Sequence, residues 1–413
     1  MSTDAHTSGQ REATHLVVSG GPASTRGAPR PKGTARTEPP AQRDTWAEID
    51  LDAIAANVAA LKAQATAPQL MAVVKADGYG HGLVPAARAA LAGGAEWLGV
   101  ALVEEGAALR AAGLVTPILV MAEPPPRAVN ALLDAQLTPA VYSAVFLDAL
   151  DAAVRARDAA PVGVHLKLDT GMRRVGVPES DWDDALRHVR DAPALRLQGL
   201  WSHLAVADEP GNAFTEIQAL RFRRGLRLAA RLGVQPDLAH LCNSAGTIAL
   251  HDEQHDLVRA GIAIYGLRPS TQMTVHVPLR PALRWYSRLS LVKRLSPGEA
   301  VSYGLRWAAE EPTTLGTVPA GYADGVNRAL SNRGRALVRG RARPMVGTVC
   351  MDQFLVDIGH DRAEAGDEVV LIGEQGDARV TAEDWADLLD TITYEIVCGV
   401  GRRVPRVYVG GEG

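Results

Sequence analysis

Eight short apolar runs separated by helical segments constrain this chain more than any other feature. They read LMAVVKA (70–76), WLGVALVE (97–104), PILVMAE (117–123), LTPAVYS (137–143), VGVHLKLDTG (162–171), LRLQGLWSHLA (195–205), LAHLCNSAG (238–246) and LVRAGIAIYG (257–266). Between most of them lie stretches with helical character, such as PAARAALAGG, FLDALDAAVRARDA and IQALRFRRGLRLAARLG. Near-continuous apolar strands suit a parallel sheet covered on both faces. Eight strand–helix units point to an α/β fold built on a (β/α)8 TIM-like barrel. The link between the seventh and eighth runs is short, which keeps a doubly wound sheet as the alternative.

The flanks differ from this repeat. Residues 1–43 are rich in Ser, Thr, Gly, Pro and Arg, and their longest apolar run is LVV. A secretory signal needs an apolar segment of about 7–15 residues, so the expectation is a disordered N-terminal tail. Order is expected to begin near TWAEIDLDAIAANVAALKAQ, where Ile54, Val58 and Leu61 recur at helical spacing. After about residue 280 the texture turns to short strands divided by Gly, Pro and Asp, with one helix in TAEDWADLLDT capped by its first Thr. The expected division is a tail (1–43), a barrel (44–280) and a mostly β C-terminal domain (281–413).

The formal charge of -4 over 413 residues gives no case for nucleic-acid binding. Three widely spaced cysteines, none in a CxxC pair, argue against a disulfide scaffold or a zinc site and make a reducing cytoplasm the default. No metal is expected, and no apolar run approaches the roughly 20 residues of a membrane helix.

Polar residues fall repeatedly where the strands end, which is where barrels of this type carry their chemistry. Lys75 ends the first run. Lys167, Asp169 and Arg174 end and follow the fifth. His203 ends the sixth, Asn243 and Ser244 the seventh, and Arg259 and Gly261 lie on or after the eighth. Each alone has an ordinary structural explanation; their convergence on one rim does not. A lysine at an apolar barrel mouth can have its pKa depressed and form a Schiff base with a carbonyl. The residues leave two readings open: a lysine that attacks its substrate, or one that holds pyridoxal phosphate (PLP). The second needs a phosphate site, for which NSAG (243–246) and RAGIAIYG (259–266) supply a hydroxyl, a cation and glycines.

The motif AVVKADGYGHG resembles the PLP-lysine motif of alanine racemases. The likeness continues through HLKLDTGMRRVG, WSHLAVADE, CNSAGT, VRAGIAIYGLRP, GEAVSYG, PAGYADG, GTVCMDQF and TITYEIVCGVGRRVPRVY, in order, over about residues 45–410. The resemblance implies racemisation of alanine by two bases, supplying D-alanine for peptidoglycan. It implies that Lys75 carries PLP and acts as one base, and that Tyr303 is the other. Tyr79, Tyr394, Ser244, Gly261 and Ile262 are then expected at the phosphate, with Asn243 in support. Arg259 is expected to face the pyridine nitrogen, with His203 between the cofactor, Tyr303 and Arg259. Arg174 and the backbone at Met351 are expected to hold the substrate carboxylate. Tyr322 and Asp208 are expected at the entrance. Lys167 matches a position that can be carbamylated.

Because arginine does not readily release a proton, Arg259 is expected to leave the ring nitrogen unprotonated and to favour reprotonation at Cα over transamination. The resemblance further implies a head-to-tail homodimer in which Tyr303 and Met351 come from the partner subunit. Two departures stand out: Arg173 where relatives carry a small residue, and Thr348 where some carry an arginine near the entrance. The rival readings are a serine or broad-specificity racemase, a PLP-dependent decarboxylase and a single-barrel PLP carrier. His81 is expected to make a structural hydrogen bond in the turn after Lys75.

Overall fold

The computed structural model describes residues 42–411. The tail read at 1–43 therefore lies outside the described residues up to residue 41, whereas the Arg43 guanidinium pairs with the buried Asp324 carboxylate at 2.6 Å.

The first strand, β1 (Thr45–Asp50), runs straight into a helix at Leu51–Gln64. Asp50 caps that helix, its Oδ1 accepting the Ala53 N–H at 2.8 Å, as a carboxylate at a helix start should. The helix at 51–64 is as the spacing of Ile54, Val58 and Leu61 indicates. The strand before it belongs to the other half of the molecule. β1 pairs antiparallel with Leu283–Arg288 and parallel with Arg406–Val409. All six of its residues are buried, including Thr45, Glu48 and Asp50, so no alternation announces it in the sequence.

All eight apolar runs form one parallel sheet. Its strands are β2 (Gln69–Val73), β3 (Trp97–Val100), β4 (Ile118–Val120), β5 (Thr138–Val141), β6 (Val162–Lys167), β7 (Leu195–Trp201), β8 (Leu238–His240) and β9 (Leu257–Ala260). They run in order from β2 to β8, and β9 returns to pair with β2. The seam between β8 and β9 is bridged by Asp256 N–H to Ala239 O (3.0 Å) and Arg259 N–H to Cys242 O (2.9 Å). The short link there holds only a helix at Ser244–Ala249 and one 3-10 turn at His251–Glu253. The result is a nearly closed TIM-like barrel. Met71, Trp97, Leu119, Ala140, Trp201, Leu238 and Leu257 form a separate buried cluster contributed by seven of its strands, as expected for a filled barrel interior.

The C-terminal half is mostly β. Its helix at Ala382–Leu389 is capped by Thr381, which accepts from Asp384 N–H while the Asp384 carboxylate accepts from Thr381 N–H. A last helix, Thr393–Cys398, packs against the segment 75–79 that follows β2. That contact brings the end of the chain to the mouth of the barrel.

Candidate active site

The backbone after β2 takes an unusual path. Ala76, Asp77, Gly78, Tyr79 and Gly80 all have positive φ, between 52° and 81°. Left-handed backbone costs an L-residue roughly 1–2 kcal/mol, and three of these five are not glycine. The surroundings hold the turn in place. Glu105 Oε1 accepts the Ala76 N–H at 2.7 Å, and Asp77 Oδ1 accepts the Leu83 N–H at 2.9 Å. His81 Nδ1 lies 3.1 Å from Gly78 O and 2.9 Å from Tyr79 O. Both partners are carbonyls, so Nδ1 carries the proton and donates. This is the structural hydrogen bond expected of His81. Gly80 is required here: a Cβ on it would meet Val397 O at 2.3 Å. The turn presents Lys75, half-buried, at the mouth, and turns Tyr79 inward.

On the strand paired with β2, Arg259 of β9 is a fully enclosed cation. Nη1 donates to His240 Nδ1 at 2.9 Å. Nη2 donates to Ser202 O (2.8 Å), Leu241 O (2.9 Å) and His203 Nδ1 (3.2 Å). The Nε–H is buried and has no partner among the described residues. Burial pushes the Arg259 pKa down only to about 10, so it stays a cation at neutral pH. Its charge acts on its neighbours. Burial first, and then Arg259, pull His203 and His240 well below the ordinary histidine range. The same two causes, with Arg174 and Lys75 next, lower Lys167 to about 7. The Lys167 amine sits 4.2 Å from the Trp201 ring centroid. Lys75 is lowered by burial and then by Arg174, although Arg174 itself is exposed.

A third group lies between the turn and the β8–β9 seam. Ser244 Oγ accepts from Gly261 N–H (2.8 Å) and Ala263 N–H (3.3 Å). Asn243 caps the following helix through Gly246 N–H (3.0 Å). Tyr79 stacks on Tyr265 at 5.0 Å and tilts against Tyr394 at 6.0 Å. A Cβ on Gly261 would strike the Tyr79 hydroxyl at 2.6 Å, so glycine at 261 lets the hydroxyl approach the backbone beside the buried Ile262. Tyr394 is raised by burial and then by the Asp208 carboxylate.

Tyr303, Tyr322 and Met351 form a separate group in the C-terminal half, with exposures of 73%, 44% and 52%. Tyr322 N–H donates to Cys350 O, and Ala323 N–H to Met351 O, both at 3.0 Å. Thr348 is buried, and its hydroxyl donates to Tyr303 O at 2.7 Å, supporting the Tyr303 backbone from beneath. No hydrogen bond or ring contact among the described residues joins this group to Lys75, Arg174 or His203. Arg173, the other departure, has φ of 52°. That backbone conformation favours glycine, and the Arg173 N–H donates to Asp169 Oδ1 at 3.1 Å.

These residues fit PLP. The unpartnered, buried Arg259 Nε–H can only donate, so it requires an acceptor such as an unprotonated ring nitrogen. A lysine biased toward its neutral amine suits bonding to the aldehyde. The Tyr79, Tyr394 and Ser244 hydroxyls suit a phosphate.

Reading single strand ends missed His165 and His240, which complete the network around Arg259. The signal was parity: His165 lies two residues before Lys167 on β6, on the same face.

Two family models match the chain: the N-terminal domain of alanine racemase over residues 49–269 and the C-terminal domain over residues 282–408. An alanine racemase of Thermobifida fusca is 48% identical over 368 residues, covering 88% of this chain and 98% of the relative. The crystal structure of an alanine racemase from Streptomyces lavendulae superposes with a TM-score of 0.86 at 44% identity, covering 90% of this chain and 98% of that one. A histidine racemase from Leuconostoc mesenteroides superposes with a TM-score of 0.83 at 29% identity, covering 90% and 100%.

The buried histidines set a pH dependence of stability. Burial holds His81 at about 4 and His165 at about 3, below the ordinary 6.5. Between these values the unfolded chain binds protons that the native chain does not. Stability is therefore full above about pH 6.5 and falls as pH drops, each group contributing up to about 1.4 kcal/mol per pH unit. Urea midpoints measured from pH 7 down to pH 5 are expected to decline, and His81→Gln is expected to shallow that decline. An unchanged slope in the variant contradicts the neutral assignment.

Proposed function

The chain belongs to the alanine racemase family, and from that membership we propose that it interconverts L- and D-alanine with PLP. One observation carries the reading: the buried Arg259 keeps a free Nε–H at the same barrel mouth as a lysine with a lowered pKa. When bound, PLP supplies an electron-withdrawing ring conjugated to the substrate nitrogen, which acidifies the Cα proton.

The residues divide the remaining work. Lys75 holds the cofactor covalently. Tyr79, Tyr394, Ser244 and the backbone of Gly261 and Ile262 hold its phosphate, and Asn243 steadies that segment. Arg259 serves the ring nitrogen, and His203 stands beside it. Arg174 and the Met351 backbone bind the substrate carboxylate, whose fixed orientation presents the Cα–H to a base. Lys75 Nζ and the Tyr303 hydroxyl exchange that proton on opposite faces, so the substrate need not turn over. Each can accept and return a proton. Tyr322 and Asp208 frame the entrance.

The strong exposure of Tyr303 and Met351 in the single chain supports a head-to-tail homodimer in which each subunit completes its partner's site. A Lys167 amine with a pKa near 7 is available to add carbon dioxide. The resulting carbamate anion can orient the Arg174 guanidinium. Native mass spectrometry in bicarbonate buffer checks both: the expected species is a dimer whose chains each carry one added carbon dioxide. A monomer contradicts the composite site, and an unmodified mass contradicts the carbamate.

A second reading is a racemase of different or broader amino-acid specificity, which the likeness to a histidine racemase keeps in view. Both are tested by incubating the PLP-loaded protein with L-alanine, L-serine or L-histidine in D2O and following D-product and Cα deuterium. D-alanine carrying solvent deuterium, with the others much slower, is expected. Comparable turnover of serine or histidine selects the second reading. No D-product and no exchange removes both.

A further inference from the structure

His165 and His240 lie beneath Arg259, and hydrogen-bond direction fixes their chemistry. Arginine has only donors. Arg259 Nη1 is 2.9 Å from His240 Nδ1, so Nδ1 accepts. A neutral His240 then carries its proton on Nε2, which lies 2.8 Å from His165 Nδ1. His165 Nδ1 must accept in turn, and its own proton sits on Nε2. That last nitrogen is buried and has no partner among the described residues. Reversing either tautomer would set one N–H against another. The guanidinium therefore imposes one direction along the chain, and the chain supplies the acceptor that Nη1 needs.

Independent features hold the two rings in place. Trp201 stacks on His240 with centroids 5.4 Å apart and planes within 9°. Gly199 is the register partner of His165 on the next strand. A Cβ at 199 would lie 2.4 Å from His165 Nδ1, so the ring occupies space that only glycine leaves. Burial and the nearby Arg259 and Arg196 keep His165 neutral. Burial, Arg259, His165, His255 and Lys167 do the same for His240. An apolar ring would fill the position of His165 without an orphan donor, which is costly when buried.

Building on the reading of Arg259 as the partner of the cofactor ring nitrogen, we propose that His240 and His165 are positioning residues for it. They form a single-tautomer pair that, with Ser202 O, Leu241 O and His203, engages Nη1 and Nη2 and so fixes the guanidinium with its unpartnered Nε–H turned to the cofactor. Neither ring is a catalytic residue, since neither is assigned a contact with cofactor or substrate.

The test uses the PLP-loaded protein with 15N-labelled histidine rings. The expected spectrum shows a scalar coupling across the N–H···N bond from His240 Nε2 to His165 Nδ1, with His240 Nδ1 unprotonated. A missing coupling, or a proton on His240 Nδ1, overturns the proposal. PLP dissociation constants supply a second readout. His240→Leu and Gly199→Ala are expected to weaken PLP binding roughly tenfold or more, because a buried guanidinium donor loses its acceptor or its alignment. His240→Asn, whose Oδ1 can replace Nδ1 as acceptor, is expected to stay within about threefold of the parent. Equal affinities across all four proteins contradict a positioning role. If a variant fails to fold, the coupling in the unaltered protein still decides. Neither readout uses alanine turnover, so a failure of the racemase reading is separable from a failure of this one.

Discussion

The chemistry of the barrel mouth depends on one buried cation. Enclosing a charge in a protein costs several kcal/mol unless hydrogen bonds replace the water it loses. Arg259 meets that requirement through Ser202 O, Leu241 O, His203 and His240. It retains its proton because even a pKa lowered to about 10 stands well above neutrality. Everything near it must then avoid positive charge. After burial, Arg259 is the next cause of the lowered pKa of Lys167, His203, His240 and His165. Burial and one fixed guanidinium together keep the surrounding imidazoles neutral and bring the Lys167 amine to about 7.

The second constraint is backbone geometry. Lys75 sits where β2 gives way to a left-handed turn that includes Ala76, Asp77 and Tyr79. Such a turn persists only when its surroundings over-determine it. Here they do so from several directions: Glu105 from the neighbouring helix, His81 from within the turn, and Arg406 Nε donating to Gly80 O at 3.0 Å from the last strand. The helix at Thr393–Cys398 closes over it and brings Tyr394 to Tyr79. The C-terminal half is therefore part of the same barrel mouth, since it clamps the turn that aims the lysine.

Much of this was legible in the sequence because it rests on short-range patterns. Apolar runs of strand length gave the barrel strands, and the polar residues at their ends gave Lys75, His203, Ser244 and Arg259. Strand β1 was not legible, because a fully buried strand that runs straight into a helix has no alternation and no turn before the helix. Its partners, Leu283–Arg288 and Arg406–Val409, lie more than 200 residues away in the chain. His165 and His240 were hidden for another reason: a histidine inside an apolar strand reads as a tolerated core residue until its partner is known. Thr348, which stands where some relatives carry an arginine near the entrance, is buried beneath Tyr303 and donates to its carbonyl. Only tertiary packing could have revealed that.

The central claim is that Arg259, which can donate but not accept and whose buried Nε–H has no partner among the described residues, holds the cofactor ring nitrogen without its proton. The most direct measurement is the 15N chemical shift of PLP labelled at the ring nitrogen and bound to the protein, followed through the neutral and mildly alkaline range. A shift typical of an unprotonated pyridine, unchanged by pH across that range, is the result this account predicts. A protonated ring nitrogen would mean that Arg259 does not face it, and the assignment of the cofactor's partner would fall.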